Sequence, residues 1–333
     1  MNEGPIIEVR DLVKVYGKGD KQTRAVDGIS FDVARGELFG FLGPNGAGKT
    51  TTIRVLATLL APTSGSVRVA GLDVTRQPHE VRKRLGLALQ TAALDAFSTG
   101  RETLELAGRL HRLPREQIRR RADELLELMT LSKVANKLTG TYSGGMKRRL
   151  DLASALMHQP ELLILDEPTE GLDPQSRTAL WEELERINQA GTTMLLTTHY
   201  MEEADRLCRR LSIIDNGKIV IDGSPTELKR TVGAELVVLE IEQPEGDGVV
   251  ERVRSRLAGL VEAEAVSAHP QGVSLSVPNA GAAIPALLRR LEGDTVQISG
   301  LRMSQPSLDD VFMKYTGRSI REEAADQYIV LGW

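Results

Sequence analysis

The octapeptide GPNGAGKT, residues 43–50, constrains this chain more than any other stretch. Gly43, Gly48, Lys49 and Thr50 fill the pattern G-x-x-x-x-G-K-[ST]. Such a loop works only where a strand delivers it and a helix begins at its end. The flanking runs, "GELFGFLG" before and "KTTTIRVLATLL" after, have those characters. The glycines let backbone N–H groups turn toward an anion with no Cβ in the way. The helix N-terminus adds unpaired donors and a favourable dipole. The predicted fold class is therefore α/β, and the predicted ligand is a nucleotide phosphate. Lys49 is expected to meet the β- and γ-phosphates and the Thr50 hydroxyl to sit on Mg²⁺.

The first two thirds of the chain suit that frame. Residues 6–16 and 28–43 read as strands separated by turns, and 49–60 as a helix closed by "APTSG". A short strand region follows at 65–74. Residues 114–131 place Ile118, Ala122, Leu125, Leu126 and Met129 on one helical face, with Arg119–Arg121 expected on the solvated side. The compact apolar runs 161–166 and 192–199 suit buried parallel strands. Asn216-Gly217 between two apolar runs predicts a hairpin over 211–223. Ser224 and Pro225 then start a helix.

"LLILDEP" (162–168) ends an apolar strand in two carboxylates, at the sheet edge where ligands bind in α/β folds. Asp166 is placed to organise Mg²⁺ and its water. Glu167 is the candidate general base toward a water facing the γ-phosphate. His199 ends the next apolar run, within reach of that phosphate.

A second cradle stands at "YSGGMKRRL" (142–150), with no lysine inside the loop to do the work of Lys49. A glycine pair at a helix N-terminus is an anion site. A second one makes sense if it serves another molecule's nucleotide. At this point the chain resembles the ATP-binding subunits of ABC transporters, whose signature is [LY]-S-G-G-[QM]. The resemblance spans residues 6 to about 228, with five motifs in family order. It implies two copies closing head to tail over two ATPs, with Ser143, Gly144 and Gly145 contacting the partner's γ-phosphate. It implies that Gly43, Pro44, Asn45, Gly46, Ala47, Gly48, Lys49, Thr50 and Thr51 cradle ATP. Gln90 in "LALQTAALD" matches the family's glutamine loop, facing Mg²⁺ and the membrane partner with a catalytic part. Asp173 in "GLD" matches the dimer-interface loop. Tyr16 in "KVYG" matches the aromatic that stacks on adenine, where base stacking of about 1–3 kcal/mol would serve binding. A helical subdomain inside the ATPase fold is implied as well.

Beyond residue 230 the texture changes to a β-α-β-β-α-β order. The strands are read at 235–242, 261–267, 272–277 and 294–303, and the helices at 248–260 and 283–293. That order is the ferredoxin-like split βαβ module. A last helix is expected at 307–317. The expected domains are 1–230, 231–317 and a tail, 318–333, whose apolar end carries Trp333. "RAVDGISFDV", "TTHYMEEADRL" and "SLDDVFMKYTG" resemble the daunorubicin-resistance branch. Its members are stand-alone ATPases that pair with a separately encoded ABC-2-type permease and export drugs or lipids. An importer ATPase and a soluble ABC ATPase are the other readings. Met146 replaces the commoner glutamine, and Glu170 replaces a small polar residue beside the nucleotide interface, where it is expected to lower ATP-driven dimerisation.

Composition narrows the partners. A net charge of −4 gives no basic field for nucleic acid, and none is expected as a partner. No apolar run approaches the roughly 20 residues needed to span a bilayer. The N-terminus lacks a signal peptide's pattern. A place on the cytoplasmic face of the membrane would therefore depend on another chain. The one cysteine fits a reducing compartment.

Overall fold

The computed structural model describes residues 4–17, 21–90, 94–232, 235–241, 248–260, 266–269, 272–291, 298–304 and 306–316. The chain forms two compact units that divide between Pro225 and Thr226.

The first unit opens with β1 (Ile7–Tyr16), β2 (Thr23–Val33) and β3 (Leu38–Leu42). Helix α1 (Lys49–Leu56) leads to β4 (Ser64–Val69) and β5 (Leu72–Asp73). Then come α2 (Pro78–Arg84), β6 (Leu85–Ala88), α3 (Gly100–Leu110), α4 (Arg115–Leu128) and α5 (Gly144–Leu156). β7 (Leu162–Asp166), α6 (Pro174–Gln189), β8 (Thr193–Thr198) and α7 (Met201–Leu207) follow. The hairpin β9 (Arg210–Asp215) and β10 (Lys218–Gly223) ends it.

Six strands form the central sheet in the order β10-β9-β3-β8-β7-β6. It is parallel except for β10, which closes antiparallel on β9. β3, β7 and β8 are buried along their whole length. They therefore read as unbroken apolar runs, because both faces of a parallel sheet are covered. A smaller antiparallel sheet, β2-β1-β4-β5, packs through Phe31 onto Phe39 and Phe41 of the central sheet. Burying each such side chain contributes about 1.5–3 kcal/mol. The order of strands 3, 8 and 7 brings the three chemically marked strand ends side by side.

Helices α3, α4 and α5 pack on one another as the helical subdomain. Thr99 and Glu102 form a full capping box at the start of α3. Ile118, Ala122, Leu125, Leu126 and Met129 are buried, as the helical spacing predicts. Arg121, expected with Arg119 and Arg120 on a solvated face, instead turns inward. It bonds Glu124 at 2.9 Å and the Leu156 carbonyl at 3.3 Å. Behind α5, His158 stacks on His111, ring centroids 3.7 Å apart, and bonds the Leu85 carbonyl at 3.0 Å. Burial foremost, and the neighbouring His111, hold the His158 pKa down at about 4. Helix α1 ends at Leu56, short of the expected residue 60, because Thr58 takes φ 60° and reverses the chain. Cys208, fully buried behind β3, sits where a Cβ on Gly40 would come within 2.6 Å of its sulfur.

The second unit takes in α8 (Pro225–Val232) from Thr226 onward, β11 (Glu235–Ile241), α9 (Gly248–Leu257), β12 (Val266–His269), β13 (Gly272–Val277), α10 (Ala280–Leu291), β14 (Ile298–Ser304) and α11 (Leu308–Thr316). Its sheet is antiparallel in the order β12-β13-β11-β14. That is the split βαβ arrangement. Val237, Leu239, Val273, Leu275 and Val277 alternate onto one face and form the core with Val253, Leu257 and Leu287. Helix α10 starts three residues earlier than expected and carries Pro285 inside it. Residues 261–265 and 294–297 of the expected strands, and the tail 318–333, lie outside the described residues.

Candidate nucleotide site

The loop after β3 turns on two glycines in the left-handed region, Gly46 at φ 83° and Gly48 at φ 108°. A Cβ on Gly48 would lie 2.5 Å from the Ala25 carbonyl oxygen, so position 48 needs glycine both for its dihedral and for space. The hairpin turn supports the loop from below. Gly217 N–H donates to the Ala47 carbonyl at 3.0 Å, and Asp27 N–H to the Gly217 carbonyl at 2.8 Å. Pro44, Asn45, Gly46, Gly48, Lys49, Thr50 and Thr51 line an open cleft of about 230 Å³ with Ala25, Gln90 and Glu167. Gly43 and Ala47 lie behind it, buried.

Lys49 is 4% exposed. Its ammonium donates to the carbonyls of Gly43 (2.7 Å) and Pro44 (3.1 Å) and stands 3.2 Å from Glu167 Oε1. Burial pulls its pKa down, against the pull of Glu167 and Asp166. Glu167 carries the other half of the charge. His199 Nδ1 lies 3.2 Å from its Oε2. Burial works to raise this carboxyl, but His199 and Lys49 win and hold it at about 2. Glu167 is thus an anion paired with the Lys49 ammonium, with the His199 ring against its other oxygen. Its backbone takes φ 47°, a strained value that costs a non-glycine residue about 1–3 kcal/mol. The Thr197 carbonyl, 3.1 Å from Glu167 N, helps to hold it there.

Asp166 Oδ1 accepts from Thr197 Oγ1 at 2.6 Å and from Thr50 Oγ1 at 3.3 Å. These are hard oxygen donors of the kind Mg²⁺ takes. Among the described residues no group of three His, Cys, Asp or Glu could cage a metal. Two protein oxygens, the Asp166 carboxylate and the Thr50 hydroxyl, fit an ion that takes its other ligands from water and substrate. Gln90 lines the cleft with Glu167. Its amide donates to Glu170 Oε2 at 2.5 Å. Burial raises the Glu170 carboxyl, the Gln90 bond works against this, and contact with Glu167 adds to the rise.

Three predicted groups lie apart from this cleft. Tyr16 ends β1, 39% exposed, with the Lys14 ammonium 5.4 Å above its ring, and does not line the cleft. Ser143, Gly144 and Gly145 begin α5, where the Ser143 hydroxyl caps the helix by accepting from Met146 N at 3.3 Å. Asp173 caps α6 in the same way, accepting from Ser176 N and Oγ at 2.9 and 2.6 Å. These two helix starts touch. A Cβ on Gly145 would meet Ser176 Oγ at 2.9 Å, while one on Gly144 would meet nothing closer than 4.0 Å. Sequence reasoning missed Ala25 and Thr197. Both act through positions fixed only by strand register, and neither belongs to a local pattern.

A family model described as ABC transporter matches residues 26–170. One described as the C-terminal domain of DrrA1-3-like ATP-binding proteins matches residues 223–316. The chain is 42% identical over 326 residues to the daunorubicin resistance ATP-binding protein DrrA2 of Streptomyces coeruleorubidus, covering 98% of this chain and 99% of that one. It is 41% identical over 321 residues to the Nod factor export ATP-binding protein I of Ralstonia nicotianae, covering 96% of each. Among solved structures, the dimeric post-hydrolysis state of the ATP-binding cassette MJ0796, bound to ADP and Pi, matches with a TM-score of 0.60 at 25% identity. That match covers 66% of this chain and 98% of the other.

Proposed function

The chain belongs to the ABC transporter ATP-binding proteins of the daunorubicin-resistance type, and on that premise we propose how its residues carry the reaction and which partners complete it. It is the ATP-hydrolysing subunit of an exporter. The loop 43–51 takes the phosphates on its backbone N–H groups and on Lys49. When bound, Mg²⁺ would neutralise charge on the β- and γ-phosphates, and Thr50 and Asp166 are the residues that would hold it. Glu167 accepts the proton of the attacking water, and His199 fixes the Glu167 carboxylate and reaches the γ-phosphate. Tyr16 supplies a face for adenine.

The observation that carries the dimer reading is the shape of the cleft. The cleft is open, and Ser143, Gly144 and Gly145 are not among the residues that line it. Ser143, Gly144 and Gly145 offer donors at a helix start outside it. A second copy, head to tail, brings those donors to the open side of each phosphate, with Asp173 at the seam. No described helix is long and apolar enough to cross a membrane. In this reading the unit that ends at Pro225, rather than at the expected residue 230, hydrolyses ATP, and the unit from Thr226 onward is an accessory module. The working complex holds two copies of this chain on the cytoplasmic face of a separately encoded ABC-2-type permease, and it exports a drug, antibiotic or lipid.

Glu167→Gln is expected to bind ATP and lose turnover by about 10²–10⁴-fold, since an amide cannot take the proton. Turnover at the parental rate would remove Glu167 from the mechanism. Lys49→Ala and Ser143→Arg should each be inactive alone. Mixed together they should recover turnover, because a mixed dimer keeps one intact loop opposite one intact signature. No recovery on mixing would refute the head-to-tail assembly.

A further inference from the structure

Arg148 lies one turn into α5, the helix that begins at the signature, and it is 7% exposed. A guanidinium so deeply buried must spend its donors on the protein. Nε donates to the Pro168 carbonyl at 2.8 Å and Nη2 to the Asp166 carbonyl at 3.0 Å. Nη1 donates to the Leu89 carbonyl and approaches Asp151 Oδ2 at 3.5 Å. The first two carbonyls belong to the residues on either side of Glu167. The third belongs to the residue before Gln90. The neighbouring Arg149 points elsewhere, to the Met129 carbonyl and Glu183. One planar fork therefore brackets the strained peptide of the general base and ties it to the glutamine loop.

We propose that Arg148 is a positioning residue for hydrolysis, holding the Glu167 backbone in its left-handed conformation and coupling the signature helix to both Glu167 and Gln90. The proposal rests on Glu167 being the base. A displacement of α5 when a nucleotide meets Ser143–Gly145 is transmitted through this fork to the carboxylate on the same chain. The geometry of the fork explains why arginine is needed: a lysine ammonium can reach one of these carbonyls but cannot span the pair across Glu167.

The test uses the full chain and counts turnover per bound nucleotide, so that misfolded protein does not register. Arg148→Lys should bind ATP at one per chain with parental affinity, while kcat falls by roughly ten- to a hundredfold, the scale expected for a misplaced catalytic group. In Arg148→Ala, added guanidinium should restore part of kcat and leave the ATP affinity unchanged. Glu167→Gln, run beside it, should gain nothing from guanidinium. Parental kcat in Arg148→Lys with Glu167→Gln inactive would overturn the role of Arg148 alone. Parental kcat in Glu167→Gln would remove the base reading beneath it. Loss of ATP affinity in step with kcat in Arg148→Lys would also overturn the proposal, since it would make Arg148 a general structural support.

Discussion

The chain builds two glycine-bearing helix starts, and they use glycine for different reasons. In the loop before α1, Gly46 and Gly48 hold positive φ, which turns the backbone N–H groups into the cleft. The cap is glycine itself, with no side-chain oxygen. At the start of α5 the glycines have ordinary helical backbone, and Ser143 caps the helix with its hydroxyl. There, Gly145 is needed because Ser176 is close, and Gly144 has open space in front of it. The first loop forms an open cleft with Lys49 and Glu167 of its own chain in the lining. The second is finished at its base and open at its tip. A half-site of that kind acquires meaning only when another surface approaches.

That contrast can be broken at each loop in turn. The largest effect is expected at Gly48→Ala. Forcing φ 108° on alanine and meeting the Ala25 carbonyl costs about 1–3 kcal/mol if the loop yields. This converts to about 5- to 150-fold weaker ATP binding, measurable by titration with a fluorescent nucleotide. Gly144→Ala should leave ATP affinity and thermal stability at parental values and lower turnover by about tenfold, the equivalent of 1.4 kcal/mol at the partner's phosphate. Equal losses of affinity at the two positions would erase the distinction.

A smaller effect is expected between the loops. Glu170 holds the Gln90 amide and crowds Glu167. Glu170→Thr should free Gln90 and raise ATP-driven dimerisation a few-fold, read by light scattering; unchanged dimerisation and turnover would dismiss a restraining role. The smallest effect concerns the seat of α5. His158 binds protons less readily in the folded chain, at about pH 4, than in the unfolded chain, at about 6.5. Its contribution to stability is complete above pH 6.5 and is lost as pH falls toward 4. His158→Gln should therefore gain on the parent by roughly 2–4 °C in Tm as pH drops from 7 to 5. A difference in Tm that does not change with pH would contradict the low pKa.

Much of this was legible because it is local. The phosphate loop, the strand ending at Asp166-Glu167 and the Asn216-Gly217 turn each carry their signal within a few residues. Both turn residues take positive φ, as a two-residue hairpin demands. The α3 cap, Thr99 with Glu102, carried an equally local signal that went unread. β6 escaped because four residues, Leu85–Ala88, give no period to detect. The buried turn of Arg121 and the hydroxyl of Thr197 escaped for another reason. Their partners, Leu156 and Asp166, lie 35 and 31 residues away, and only the packed sheet and helices bring them together. The resemblance to a family draws attention to Gln90, which lines the cleft, but gives no sign that its amide nitrogen bonds Glu170, the residue that departs from the family pattern.

The burial of Cys208 has a practical side. It is the chain's single cysteine, and burial foremost drives its thiol far above the usual range. A buried sulfur that resists forming thiolate reacts far more slowly with alkylating or disulfide reagents than an exposed one. The native chain is therefore already a quiet background for chemical labelling. A cysteine introduced beside Ser143 or Asp173 would be the fast-reacting handle on each copy. Crosslinks or probe signals from it would report how two copies meet through the nucleotide cycle, with Cys208 left in the core.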